Sequence, residues 1–133
     1  MQIAKMKQEL EEALCKKYPK LFVNIDADMT TTAMCWGFEC GDGWYNIINT
    51  LCANIQNHID WKNKKEVVVP QVTVDQVKEK FGGLRFYYEG GDDIIDGMVR
   101  MAEGMSEVTC EICGKPGESQ GGGWIRTLCE DHK

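Results

Sequence analysis

Four side chains in the sequence have the spacing of a metal site. Cys110-Glu-Ile-Cys113 is followed, after fifteen intervening residues, by Cys129-Glu-Asp-His132. Two such knuckles can set three thiolates and one imidazole around a tetrahedral ion, and this soft donor set suits structural zinc. A catalytic zinc keeps a position open for water or substrate, whereas here all four positions are filled by protein. The spacing therefore predicts a closed structural site with Zn2+ as its cofactor. The span between the knuckles holds Pro116, Gly117 and Gly121-Gly-Gly123, then Trp124-Ile-Arg-Thr-Leu128. It is long enough to turn and come back as a strand. A unit this short cannot cohere on apolar burial alone, so the metal is expected to hold it together. Trp124 and Leu128 are the side chains expected to pack around it.

No catalytic constellation accompanies the metal site. One of the two histidines is taken as a ligand, and His58 has no nucleophile near it in sequence. His58 is expected on the surface or satisfied by a neighbour. A small hydrolase or transferase would need the fold to bring His58 against Cys35, Cys40 or Cys52. Asp92 and Asp93 diverge on a helix and suit its first turn better than paired acid–base work. An enzyme is the less favoured reading.

The candidate ligand face lies in Lys78-Glu-Lys-Phe-Gly-Gly-Leu-Arg-Phe-Tyr-Tyr88. Lys78, Lys80 and Arg85 supply positive charge, Tyr87 can stack or donate, and a Gly82-Gly83 turn would expose amides. Together they suit an acidic peptide, a nucleotide or a phosphate. Trp44 joins this set from residues 34–45, where dense glycine and aromatic side chains would either rim a pocket or form a loop packed under its aromatics. The plainer and favoured reading of 78–88 is a solvated edge strand whose charges prevent edge-to-edge pairing.

A chain of 133 residues, 43% of them hydrophobic, has enough apolar material for one core with a small appendage. The formal net charge of −6 argues against a bulk phosphate-binding surface. Charge is polarised along the chain. Residues 62–85 carry six bases against three acids, and residues 89–107 carry six acids against one base. Seven cysteines, four residues of metal-site spacing and no signal-peptide core predict reduced thiols in the cytoplasm.

Periodicity places the elements that position these groups. A first helix is predicted over residues 2–16 from Ile3, Met6, Leu10 and Leu14, ending before Pro19. Asp26 and Asp28 could begin a divalent-ion site, but no acidic pair elsewhere completes it. The strongest helix signal covers 43–61, with Trp44, Ile48, Leu51, Ile55 and Ile59 in one stripe and Asp42 placed to cap it. Cys52 beside that stripe reads as a buried thiol. Val67–Val69 and Val72–Val74 read as extended chain, and Pro70 makes that strand peripheral or broken. Thr73 either caps a short helical turn, with Val77 and Phe81 inward, or continues the strand. Leu84, Phe86 and Tyr88 share the core face of a strand, with Arg85 and Tyr87 opposite. A last helix over 92–108 is expected to turn Ile94 or Ile95, Met98, Ala102 and Met105 inward, with Gly97 and Gly104 hinting at close packing.

The fold class expected is α+β, with a mixed helix/strand domain over 1–108 and a zinc-ribbon or zinc-knuckle-like unit over 109–133. Gly43-Trp44 opening a helix, the central Val77–Tyr87 motif and the Cys110-x2-Cys113…Cys129-x2-His132 pair carry a further resemblance. Over roughly residues 36–133 the chain resembles small uncharacterised proteins carried by bacteriophages and prophages. That resemblance implies a phage accessory protein, a class that includes host-takeover factors and agents that sequester ligands to counter host defence. It implies no reaction. The functional expectation is a non-enzymatic protein in the host cytoplasm that engages a host protein or a small anionic ligand. A nucleic-acid-binding accessory factor using the 62–85 basic face with Trp124 or Arg126 is the first rival.

Overall fold

The computed structural model describes residues 4–26 and 32–133, apart from the side chain of Cys35. Its elements are α1 (Gln8–Lys17), β1 (Phe38–Glu39), α2 (Tyr45–Lys64), β2 (Thr73–Lys80), β3 (Gly83–Glu89), α3 (Asp93–Ser106), β4 (Glu118–Gln120) and β5 (Arg126–Leu128). Short 3₁₀ turns occupy Ala33–Trp36 and Asp42–Trp44. The chain is a mixed helix-and-strand domain bearing a Cys3His cluster. Ile3, Asp28, Thr30 and Thr31 lie outside the described residues.

The predicted apolar stripe builds α2, which buries Ile47, Ile48, Leu51, Cys52, Ile55 and Ile59. Cys52 is thus the buried thiol expected from its position. Asp42 does not cap this helix, which has no side-chain cap and enters through a 3₁₀ turn. Its carboxylate is spent elsewhere, accepting the Lys7 N–H at 2.9 Å. Lys7 has extended backbone, so α1 begins at Gln8, later than the apolar spacing suggested. Met6 N–H donates to the Phe38 carbonyl, which lays the lead into α1 along β1.

The three-stranded sheet has the order β1-β2-β3, with β1 parallel and β3 antiparallel to β2. Thr73 therefore continues as strand, in a central β2 with a register irregularity between Val74 and Gln76, while Val67–Val69 and Val72 stay outside the sheet, the break that Pro70 suggested. Pro70 is harmless because it precedes β2, in a segment outside the sheet where its carbonyl accepts the Gly91 N–H. Val77 and Phe86 pair on the core face, while Lys78 opposes Arg85 and Gln76 opposes Tyr87 on the other. The turn between β2 and β3 is Phe81-Gly82, one residue earlier than expected, with φ of 53° and 80°. Two left-handed central residues make the hairpin turn that matches strand twist. Phe81 accordingly points out, 71% exposed, and not inward.

β3 is an edge strand, yet lysines do not guard it. Its outward amides are taken by α3, with Leu84 N–H donating to Ser106 Oγ at 2.8 Å and Phe86 N–H to Glu103 Oε2 at 3.0 Å. Asp92 caps α3 through the Ile95 N–H, as its sequence position suggested. The inward face of α3 is Ile95, Val99, Ala102 and Ser106. Met105 is exposed and Met98 only partly buried, a shift of phase from the expected set. Ser106 takes the inner position because β3 supplies its hydroxyl with a donor. Among the described residues no helix is long and apolar enough to cross a membrane.

Candidate metal centre

The chain leaves α3 through a tight turn that aims the first pair of thiols. Gly114 N–H donates to the Cys110 carbonyl at 2.9 Å and Cys110 N–H to the Lys115 carbonyl at 2.7 Å. Gly114 occupies a left-handed φ of 84° that closes this knuckle. β4 and β5 then form an antiparallel hairpin, pairing Glu118 with Leu128 and Gln120 with Arg126. The strand delivers Cys129, and a final turn, with His132 N–H donating to the Cys129 carbonyl, delivers the imidazole.

One donor atom from each of Cys110, Cys113, Cys129 and His132 lies within 4.8 Å of the other three. Cys113 Sγ is 3.6 Å from Cys129 Sγ, and His132 Nδ1 is 3.6 Å from Cys110 Sγ and 3.2 Å from Cys129 Sγ. A tetrahedron with bonds of ~2.3 Å to sulfur and ~2.0 Å to nitrogen has edges of roughly 3.5–3.8 Å. The cluster is therefore sized for a metal ion and can coordinate one. A disulfide would need sulfurs at ~2.05 Å, so the thiols are free. Burial alone would raise the Cys110 thiol. Amides of Cys113, Cys129 and Ile112 directed at its sulfur outweigh that and hold it at about 6. The same amides favour thiolate as a ligand.

The metal unit docks on two glycine-bearing segments of the larger domain. Gly43 N–H donates to the Glu111 carbonyl at 2.7 Å, Gly41 N–H to Glu111 Oε2 at 2.9 Å, and Trp44 Nε1 to the Thr109 carbonyl at 2.9 Å. A Cβ on Gly43 would stand 2.2 Å from the Cys110 carbonyl oxygen. On the other side Thr127 Oγ1 donates to the Gly82 carbonyl at 2.6 Å. Within residues 34–45, Met34, Phe38, Cys40 and Trp44 pack into the core, while Trp36 stays exposed. Sequence reasoning missed that the glycines of this segment receive the first knuckle. Leu128 packs with Cys110 and Cys129 as expected, but Trp124 lies outside that apolar cluster. Glu111 is not a surface acid. It is fully buried, Arg126 approaches its Oε1 at 3.8 Å, and burial pushes its carboxyl up.

Lys78, Arg85 and Tyr87 come together on the outward sheet face, and Lys80 lies at the end of the same strand. Trp44 does not join them. It is fully buried at the start of α2, with its only donor already used by Thr109. His58 is satisfied, as expected, by Asp92 Oδ2 at 2.8 Å. That bond holds the Asp92 carboxyl below the usual range, helped by the Ile95 and Ile94 amides. Cys40 and Cys52 are buried, which pushes both thiols far up, and burial with nearby Glu11 raises Cys15 to about 11. No family model, curated protein or solved structure matches the chain.

Proposed function

We propose that the chain is a non-enzymatic binding protein that takes an anionic group on the outward face of its sheet, with Zn2+ as the structural ion of its Cys3His cluster. The carrying observation is the cross-strand pair of Lys78 and Arg85, set directly opposite one another beside Tyr87. Like charges in that position destabilise a sheet. Neither cation has an ion-pair partner among the described residues. A ligand carboxylate or phosphate would offset the repulsion and gain charge-assisted hydrogen bonds. The non-enzymatic reading is supported by thiols whose pKa is raised, the reverse of what a nucleophile needs, and by a histidine engaged with Asp92. The motif resemblance to phage accessory proteins favours an acidic segment of a host protein, or a small anionic molecule of the host cytoplasm, as the ligand.

The test is calorimetric titration with a polyglutamate peptide, a nucleoside triphosphate and a single-stranded oligonucleotide. Metal analysis should return one zinc per chain. Arg85→Ala and Lys78→Ala should each weaken the preferred ligand about tenfold, the loss of one charge-assisted contact, without lowering the unfolding midpoint. Absence of binding to all three ligands, or wild-type affinity in both variants, refutes the proposal. Oligonucleotide binding that falls with salt along a slope of several phosphates would establish the nucleic-acid reading instead.

A further inference from the structure

We propose that α3 is a dimerisation helix that pairs antiparallel with α3 of a second copy of this chain. The inward face of α3 accounts for Ile95, Val99, Ala102 and Ser106. A second arc, spanning about 100° at 3.6 residues per turn, runs outward through Ile94, Gly97, Met101, Gly104 and Met105, and Val108 extends it beyond the helix. This arc contains no charged side chain. Ile94, Met101, Met105 and Val108 are 53%, 71%, 49% and 64% exposed, so the stripe has no partner among the described residues. The charges of α3 and its cap lie on the remaining flank, with Asp93, Arg100 and Glu107 spaced by one heptad.

The two glycines are the second observation. Both lie inside the helix, where glycine is unfavourable relative to alanine. A Cβ at either position would meet nothing within 4 Å. Neither glycine serves packing among the described residues, so the close approach they permit is open to something outside them. The close packing that these glycines hint at in the sequence finds no neighbour among the described residues.

A second copy fits this face in both size and charge. In an antiparallel pair with its two-fold axis between residues 102 and 103, Met101 lies opposite Gly104 of the second copy and Val108 opposite its Gly97. Met101 and Val108 thus each meet a gap, and the symmetry repeats both contacts. In the same register Arg100 is offset by two residues, about 3 Å along the axis, from Glu107 of the second copy. The groove of about 440 Å³ between α2 and α3, lined by Leu51 and Ala102, widens the contact. With α3 ~21 Å long and the contact about two helix diameters wide, the face covers roughly 400 Å². Stable complexes bury ~800 Å² per partner, so the dimer is weak and concentration-dependent.

Sedimentation velocity from about 1 μM to about 1 mM chain should show a reversible monomer–dimer equilibrium. Gly104→Gln should raise the melting temperature of the dilute monomer, because the helix gains propensity without a clash, yet weaken dimerisation about tenfold or more. Arg100→Glu and Glu107→Arg should each weaken it about fivefold, and the double exchange should restore it to within about twofold. A chain that stays monomeric throughout, a Gly104→Gln variant that dimerises as well as wild type, or a double exchange no better than the single ones would each overturn the proposal.

Discussion

Replacing Gly43 with alanine tests whether the metal unit is locked onto the larger domain through residues 41–44. The added methyl would stand 2.2 Å from the Cys110 carbonyl oxygen and 2.6 Å from that of Glu111. Both are backbone atoms of the knuckle, so no side chain can swing aside. The knuckle must lift, which strains or breaks the contacts from Gly43 N–H, Gly41 N–H and Trp44 Nε1. Two of these bonds join neutral groups at ~1 kcal/mol each, and the third, to a carboxylate, contributes ~1.5–3 kcal/mol. Partial retention places the expected loss at about 3 kcal/mol, or roughly 10 °C in melting temperature for a domain of this size. Urea unfolding with metal present would measure it, and metal stoichiometry should stay the same because no ligand is touched. Gly97→Ala, which meets no atom within 4 Å, is the control and should be neutral or stabilising by up to ~1 kcal/mol. A loss below about 0.5 kcal/mol for Gly43→Ala, inside the ordinary surface range, would refute the docking argument.

Chelation or Cys113→Ser should release the β4–β5 hairpin to proteolysis while α2 keeps its helical signal, as limited digestion and circular dichroism would show. Asp92→Asn preserves a capping oxygen but loses the charged bond to His58, and should cost about 1 kcal/mol at neutral pH. The folded-state pKa of Asp92 is depressed, so its contribution is present above the unfolded carboxylate value and lost as pH falls through the lower folded value. The difference between wild type and Asp92→Asn in urea midpoints should therefore close as pH falls below about 4. Lys78→Glu puts opposite charges across the β2–β3 pair and should stabilise the fold by ~0.5 kcal/mol while abolishing anion binding, a divergence visible in parallel melting and titration.

The Cys3His cluster was legible because coordination demands fixed residue types at short spacings, and α2 because one apolar stripe stands against polar neighbours. The strand face of Leu84 and Phe86 was equally plain from alternation. The inward phase of α3 was not, because apolar and small side chains cover both its inner face and the outer arc. Periodicity cannot rank two adjacent apolar stripes, and Ser106 is buried only because the Leu84 amide waits for its hydroxyl. Asp42 looked like a cap on local grounds, but a backbone amide 35 positions away competes for it. The burial of Glu111 and the cradle at Gly41 and Gly43 are long-range facts with no local pattern. Their one signal was a glycine and aromatic density that no helix or strand explains.

The contacts that seat the metal unit join Gly41 to Glu111, Trp44 to Thr109 and Gly82 to Thr127, separations of 70, 65 and 45 residues. Each closes a long loop, so the entropy of closure is incurred before any reward arrives. A metal-free chain should meet that cost with a knuckle that no ion holds together. A loaded one should bring a rigid knuckle whose acceptors are already placed for the Gly41 amide and the Trp44 indole. The ion should thus set how quickly the distant halves of the molecule find one another, as well as how firmly they stay together.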